Sequence, residues 1–421
     1  MALNTFSNGL RLVCIPKKEK KVACVVLHIA GGTQSEKNYQ SGISDYLTKI
    51  MLMGTKKHST REALLNYAKS NGIILTPHNS KESITISAVC PRESIPVAVE
   101  LLSEIAFDTT FSLENGDKVR KMLLSQVALL GENPAYILDR LINTTLYYRT
   151  GLANPKSGTN ISVSRFRPLD AKDYLDRIFT PRNTIVSVIG ETTQEEIYDL
   201  VKLHFFDRMK DSEKEYKKLK YVSAVEDFSG DIKGRIKRLN QTRISVVFPT
   251  VSFKDKEKYL IEIVKPILVK NIKLALSNQN YYFDTKVKTK YYANNGNINF
   301  EITVDYDFAV DHLYNFMAAL KTDIKNRAIS SDEFETEKKV YITEFMNTCD
   351  NVLEGSLLSA KTLALTKQAF SENSERLKIE MLTNKDANKL LKEVLNFEKM
   401  LITYVGHDFD IDYEDLLSTV L

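Results

Sequence analysis

The sequence predicts an α+β fold made of two homologous halves, each a mostly antiparallel sheet with helices packed on one face. Three observations carry this. The first is a repeat: "DAKDYLDRIFTPRNTIVSVIG" from Asp170 and "DANKLLKEVLNFEKMLITYVG" from Asp386 both open a helix with Asp-Ala and run into a strand. Both strands close on a glycine at the same spacing, Gly190 and Gly406, and the copies are offset by about half the chain. The second is that each half reads as strands and helices in the same general order. The third is "DRMKDSEKEYKKLK" at Asp207–Lys220, a charged stretch nearly free of apolar residues that reads as an exposed connector. The expected boundaries are 1–206, a linker over 207–235, and 236–421.

The elements follow in order. "GLRLVCIP", "KVACVVLHIAG" and "ESITISAVC" are rich in β-branched residues and partly alternate, as half-buried strands do. "REALLNYAKSNG" is a helix with a glycine stop, and "PVAVELLSEIAF" and "DKVRKMLLSQVALLGE" are amphipathic helices. In the second half "RISVVFPTV" and "NGNINFEITVDYD" are strands. "EKYLIEIVKPILVKNIKLAL" is helical around a kink or break at Pro266.

Composition excludes several classes. The 421 residues carry 58 basic and 54 acidic side chains, a net charge of +4 that argues against nucleic acid and anionic membranes as partners. No apolar run approaches the ~18 residues of a spanning helix, so no transmembrane segment is expected. The start, "MALNTFSNGLRLVCIPKK", has neither a signal-peptide core nor an Arg-rich amphipathic leader, which predicts a cytoplasmic chain or one already processed. The four cysteines are scattered without a CxxC pair, which suits a reducing compartment; a Cys14–Cys24 bridge between neighbouring strands is conceivable. "GLANPKSGT" at Gly151–Thr159 lacks the G-x-x-x-x-G-K-[ST] pattern and reads as a loop. His28, His58, His78, His204, His312 and His407 show no metal-ligand spacing, and no metal or other cofactor is expected.

"SGISDYLTKIMLMGTKKHS" at Ser41–Ser59 holds the most informative helix. Ile43, Tyr46, Leu47, Ile50 and Met51 make one buried stripe. Asp45 and Lys49 share another face four residues apart, with the acid N-terminal, the favourable order for an ion pair. Together with "SNGLRLV", "GGTQSEKNYQSGIS", "MGTKKHSTREALLNYAKSNG" and "NSKESITISAVCPRESIPVAVELLSEIAFDTTF", this helix resembles the M16 peptidase family of insulinase, pitrilysin and mitochondrial processing peptidase. The resemblance covers nearly the whole chain and implies two M16-like halves enclosing a concave space. The family's H-x-x-E-H motif places two zinc-binding histidines and a water-activating glutamate on one helix. Here the matching positions hold Asp45, Thr48 and Lys49, and the later helix that should add a glutamate reads "KVRKMLLSQVALLGENP", with Ser125 and Gln126. The resemblance therefore implies a degenerate site with no catalytic residue and no metal.

In two-subunit members a partner chain supplies an Arg and Tyr that hold the substrate backbone. The matching window, "NIKLALSNQNYYFDTKVKTKYYANNGNINFEIT", offers Tyr281 and Tyr282 as substrate-binding candidates. It has no arginine, and Lys273 is the nearest cation. The glycine-rich loop of the processing peptidase's non-catalytic subunit is also missing.

The implied function is a catalytically inactive M16 subunit paired with a catalytic homologue carrying H-x-x-E-H, or with itself, around a peptide substrate. One alternative is a structural core subunit of the mitochondrial cytochrome bc1 complex on the matrix side of the inner membrane. A further alternative is an active zinc metallopeptidase with a non-standard site.

Overall fold

The computed structural model describes residues 2–18, 20–209, 228–325, 327–407, 411 and 413–419. In chain order the first elements are β1 (Ala2–Thr5), β2 (Arg11–Pro16), β3 (Val22–Ala30), α1 (Ile43–Ile50), α2 (Arg61–Ser70), β4 (Ile74–Asn79), β5 (Ser83–Pro91), α3 (Ile95–Phe107), α4 (Leu113–Glu132) and α5 (Pro134–Leu146). Next come α6 (Asn160–Val163), α7 (Pro168–Ile178), β6 (Thr184–Gly190), α8 (Gln194–Val201), β7 (Asp231–Ile236), β8 (Gln241–Thr250) and α9 (Lys258–Ala275). The remainder are β9 (Phe283–Tyr291), β10 (Gly296–Asp305), α10 (Ala309–Lys325), α11 (Ser331–Asp350), α12 (Val352–Thr366), α13 (Glu372–Glu380), α14 (Asn384–Val394), β11 (Leu401–Gly406) and α15 (Tyr413–Ser418).

Two sheets organise the chain. The first has the order β1-β2-β6-β3-β5-β4, with β2 and β6 parallel and the other neighbours antiparallel. The second has the order β7-β11-β8-β10-β9, with β7 and β11 parallel and the rest antiparallel. Without β1 the two sheets share strand order and the placing of the parallel pair, as the sequence repeat requires. Its copies are α7 with β6 and α14 with β11. The repeated aspartates act alike: Asp170 Oδ2 accepts from the Arg167 N–H at 2.8 Å and Asp386 Oδ2 from the Thr383 N–H at 3.2 Å, capping the first turn. The repeated glycines allow close approach to the neighbouring strand. A Cβ at Gly190 would lie 2.5 Å from Ala23 Cβ, and one at Gly406 2.4 Å from the Thr242 hydroxyl.

The described residues form two compact units, one drawn from 1–129, 154–221 and 347–371, the other from 130–153, 222–346 and 372–421. These depart from the halves expected at 1–206 and 236–421 by one helix each way. In the first unit α12 covers β3 and β6, setting Ala360 and Leu363 against Val13, Cys24, Val26 and Ile185. In the second unit α5 packs on β8 and β11, with Ile142 and Leu146 in a cluster with Val247 and Leu401. Periodicity shows that a helix has an apolar face but not which sheet receives it. Residues 210–227 of the expected linker lie outside the described residues, and Asp231–Ile236, also assigned to it, forms β7.

The central strand β3 of the first sheet is buried on both faces. Ala23, Val25, Leu27 and Ile29 of β3 enter the main core, while Cys24 and Val26 face α12. Cys14 belongs to the main core and Cys24 to the opposite face, so no bridge forms between them, and all four cysteines are buried. Pro266 lies inside α9 without ending it. No helix among the described residues is long and apolar enough to cross a membrane.

Candidate functional site

Helix α1 sits in the first unit with nearly every side chain covered. Ile43, Tyr46, Leu47, Ile50 and Met51 are fully buried, as their spacing predicts. The opposite side is covered too: Ser44, Asp45 and Thr48 are buried. Lys49 Nζ pairs with Asp45 Oδ1, with only 10% of the Asp45 side chain and 23% of the Lys49 side chain exposed. The Thr48 hydroxyl donates to the Ser44 carbonyl at 2.6 Å, one turn back along the helix.

A glycine contact brings the covering segment onto the start of α1. Gly42, the N-cap, has φ of 92°, and a Cβ there would stand 2.5 Å from Gly158 Cα. Gly158 is the second-last residue of the "GLANPKSGT" stretch, whose Ser157 hydroxyl accepts from Gln126 Nε2 at 3.1 Å. Lys81 Nζ donates to the Asn154 carbonyl. The loop that failed as a phosphate-binding motif thus packs on the first turn of α1, and it brings Gln126 to that turn through Ser157. Thr159 caps the short α6 that follows.

Glu36 was not visible as a site residue in the sequence. It is buried, and its carboxylate accepts from the Gly42 N–H at 2.9 Å, the Ser44 N–H at 3.0 Å and the Ser44 hydroxyl at 2.6 Å. Burial pushes its pKa up to about 8, against the pull of these hydrogen bonds and of Lys81. An acid six residues ahead of a Gly-Ile-Ser helix start was the available signal. A second buried carboxylate, Glu104 on α3, accepts from the Thr55 hydroxyl and lies 2.9 Å from His58 Nδ1, whose ring stacks on Tyr67 at 4.3 Å. It ties the "MGTKKHS" turn to α3.

Tyr281 and Tyr282 belong to the second unit and have different surroundings. The Tyr281 ring stacks on Phe308 at 4.5 Å, and its hydroxyl lies 3.2 Å from His312 Nδ1. Tyr282 is exposed. Lys273 pairs with Asp284 at 3.0 Å.

A two-sheet α+β chain whose repeated halves share one topology, with a buried helix following a glycine-rich approach, has the architecture of the M16 peptidases. The family described as "Insulinase (Peptidase family M16)" matches residues 11–160, and the "Peptidase M16 inactive domain" matches residues 166–341. The chain belongs to the M16 peptidase family. It is 24% identical over 198 residues to "Uncharacterized zinc protease YmxG" of Bacillus subtilis (strain 168), covering 47% of this chain and 48% of that protein. It is 24% identical over 187 residues to human "Mitochondrial-processing peptidase subunit beta", covering 44% and 38%. The chain thus spans about half or less of the length of these curated relatives. Two solved structures share the fold: a chain of "Complex III2 from Candida albicans, Inz-5 bound" (TM-score 0.82, 18% identity, 100% and 99% covered) and "The crystal structure of a protease from Helicobacter pylori" (TM-score 0.86, 16% identity, 96% and 98% covered).

The donors on α1 do not fit zinc. Zinc sites use neutral imidazoles, thiolates and free carboxylates, whereas the one carboxylate on this helix is paired with an ammonium group. The described residues contain no group of three or more His, Cys, Asp or Glu side chains placed to hold a metal ion.

Proposed function

We propose that this chain is a non-catalytic M16 subunit that pairs with a zinc-bearing homologue to complete a peptide-binding chamber. The observation that carries the reading is the Asp45–Lys49 ion pair on α1, at two of the positions the family resemblance assigns to the zinc motif. With Thr48 bonded to its own helix and Gln126 held by Ser157, none of the four positions offers a free metal donor or a base. Relatedness to a protein named as a subunit supports the pairing. The outer side of β4, last in its sheet, has no strand partner among the described residues, which supports binding of an extended peptide by strand addition.

Two measurements test this. Metal analysis of the purified chain after dialysis is expected to find no stoichiometric zinc, and peptide hydrolysis is expected to be absent. Affinity purification from the native source is expected to recover a homologue carrying H-x-x-E-H in equal amount. One tightly held zinc per chain would return the reading to an active peptidase with a non-standard site.

The second reading, a core subunit of a respiratory complex, is supported by the full-length fold likeness to the Complex III2 chain. Co-purification with haem-containing subunits in place of an H-x-x-E-H homologue would select it. Relatives named as mitochondrial support the mitochondrial alternative over a cytoplasmic chain; fractionation of the native source separates them.

A further inference from the structure

Away from α1, the first unit holds a cavity of about 490 Å³ between the start of α3 and α8. Its apolar lining comes from Ile95 and Pro96 on one side and Leu200 and Leu203 on the other. Leu203 lies in the five-residue π turn Lys202–Phe206 that continues α8. Phe205 of that turn is fully buried, whereas Leu203 is 61% exposed at the cavity. Such π turns occur often where a helix serves a site.

The charges around this lining are unequal. Four carboxylates, Glu93, Glu191, Glu196 and Asp199, face a single cation, Arg92. Glu191 is occupied by Arg92 at 2.9 Å. Glu196 is occupied by the capping box of α8, accepting from the Thr193 N–H at 3.0 Å and the Thr192 hydroxyl at 3.1 Å. The carboxylates of Glu93 and Asp199 form no hydrogen bond or ion pair among the described residues. Glu93 stands just before α3 and Asp199 on α8, and both line the cavity.

We propose that this cavity binds a small organic cation with an apolar body, such as an arylalkyl primary amine. The volume falls in the range of small-molecule sites, which combine apolar walls with a few polar groups that fix orientation. The body of the ligand covers Ile95, Pro96, Leu200 and Leu203, and removes the wet surface of Leu203 from water. The ammonium group is held by Glu93 and Asp199. An anion of the same shape meets two unpaired carboxylates and an arginine already engaged.

The test uses the full chain and two probes of similar shape and opposite charge, tryptamine and indole-3-acetate, titrated by calorimetry. Tryptamine is expected to bind one to one and about tenfold or more tightly than indole-3-acetate, one decade of affinity being the scale of such a charge effect. The double variant Glu93→Gln with Asp199→Asn is expected to abolish that preference, and Leu203→Ser to weaken tryptamine about fivefold by removing apolar contact. These three side chains are exposed, so the variants are expected to fold, which circular dichroism checks. Equal affinity for the two probes, or tryptamine binding unaltered in both variants, would overturn the proposal. Displacement of tryptamine by acetyl-Leu-Lys-Leu-Leu-amide at far lower concentration would also overturn it, by assigning the cavity to a peptide segment.

Discussion

Replacing Lys49 with methionine keeps a long apolar stem in α1 but removes the ammonium group from Asp45. The Asp45 side chain is 10% exposed, so its carboxylate is left unpaired in a covered position. Stripping one partner from a fully buried pair costs ~3–5 kcal/mol, and an exposed helical pair contributes only ~0.3–0.5 kcal/mol. Lys49, 23% exposed, still reaches water, so the pair falls between these limits and Lys49→Met should cost about 2 kcal/mol. Asp45→Asn should cost less, about 1 kcal/mol, because a lysine freed of its partner can turn its head to solvent. The double variant should lose less than the sum, leaving a coupling of about 1 kcal/mol. Calorimetric unfolding that resolves the transition of the first unit gives each value, and about 1 kcal/mol should appear as a fall of roughly 2–4 °C in that transition. Additive losses within ~0.3 kcal/mol would show that the pair does not stabilise α1, and the account of this helix would then fail.

Other outcomes follow from buried groups. His28 is buried beside Thr85, and burial, reinforced by Arg11 and Lys361, lowers its pKa to about 3. A base whose folded pKa lies below its ordinary 6.5 stabilises the fold above that value and loses the contribution as the pH falls towards 3. Between pH 7 and pH 4 the chain should lose about 3 kcal/mol from this group, measured by denaturant unfolding; a His28→Gln variant should lack that part of the acid slope. Glu36 runs the other way, because its folded pKa of about 8 lies above the ordinary carboxyl value. Its contribution is complete below about pH 4.5 and is lost as the pH rises through 8, so melting curves of Glu36→Gln should decline less than the parent between those values. Gly42→Ala should cost about 2–4 kcal/mol, since the new Cβ meets the Gly158 backbone at 2.5 Å and φ is 92°. An unchanged melting temperature would show that the loop does not bear on α1.

What the sequence disclosed, and what it withheld, divides along physical lines. Local periodicity and spacing identified the α1 stripe, the paired Asp-Ala helix starts and the Gly190 and Gly406 strand ends, because each is fixed within a few residues of chain. The repeat and the order of strands and helices pointed to a two-half α+β fold, and the family resemblance to its M16 form. The exchange of α5 and α12 was hidden, because an apolar helix face does not name the sheet it covers. Strand β4 was missed because Pro77 sits in it, which a strand tolerates at a sheet edge, where β4 lies. The burial of Asp45 was missed as well. The i, i+4 spacing of Asp45 and Lys49 marks an ion pair but not what covers it, and only the fold brings other chain segments over that side of the helix. Glu36 was invisible for the same reason: its partners lie six and eight residues away across a turn whose path the sequence does not state.

On the proposed reading, the changes on α1 substitute one kind of cross-link for another. A metal shared by two histidines four residues apart ties one turn of helix to a later segment. Here the same spacing carries an internal ion pair, Thr48 bonds back to Ser44, and the helix start is held by Glu36 from one side and by Gly158 from the other. Each of these contacts needs no metal and leaves no buried donor of α1 waiting for one. A catalytic site must keep a base, a ligand or an open coordination position unsatisfied until substrate arrives. Asp45 and Thr48 are both satisfied within their own helix, so α1 is built to stay in place rather than to react. That gives the reading its sharpest consequence: adding zinc should leave the unfolding temperature of the first unit unchanged, since a ligand stabilises a fold only by binding its native state.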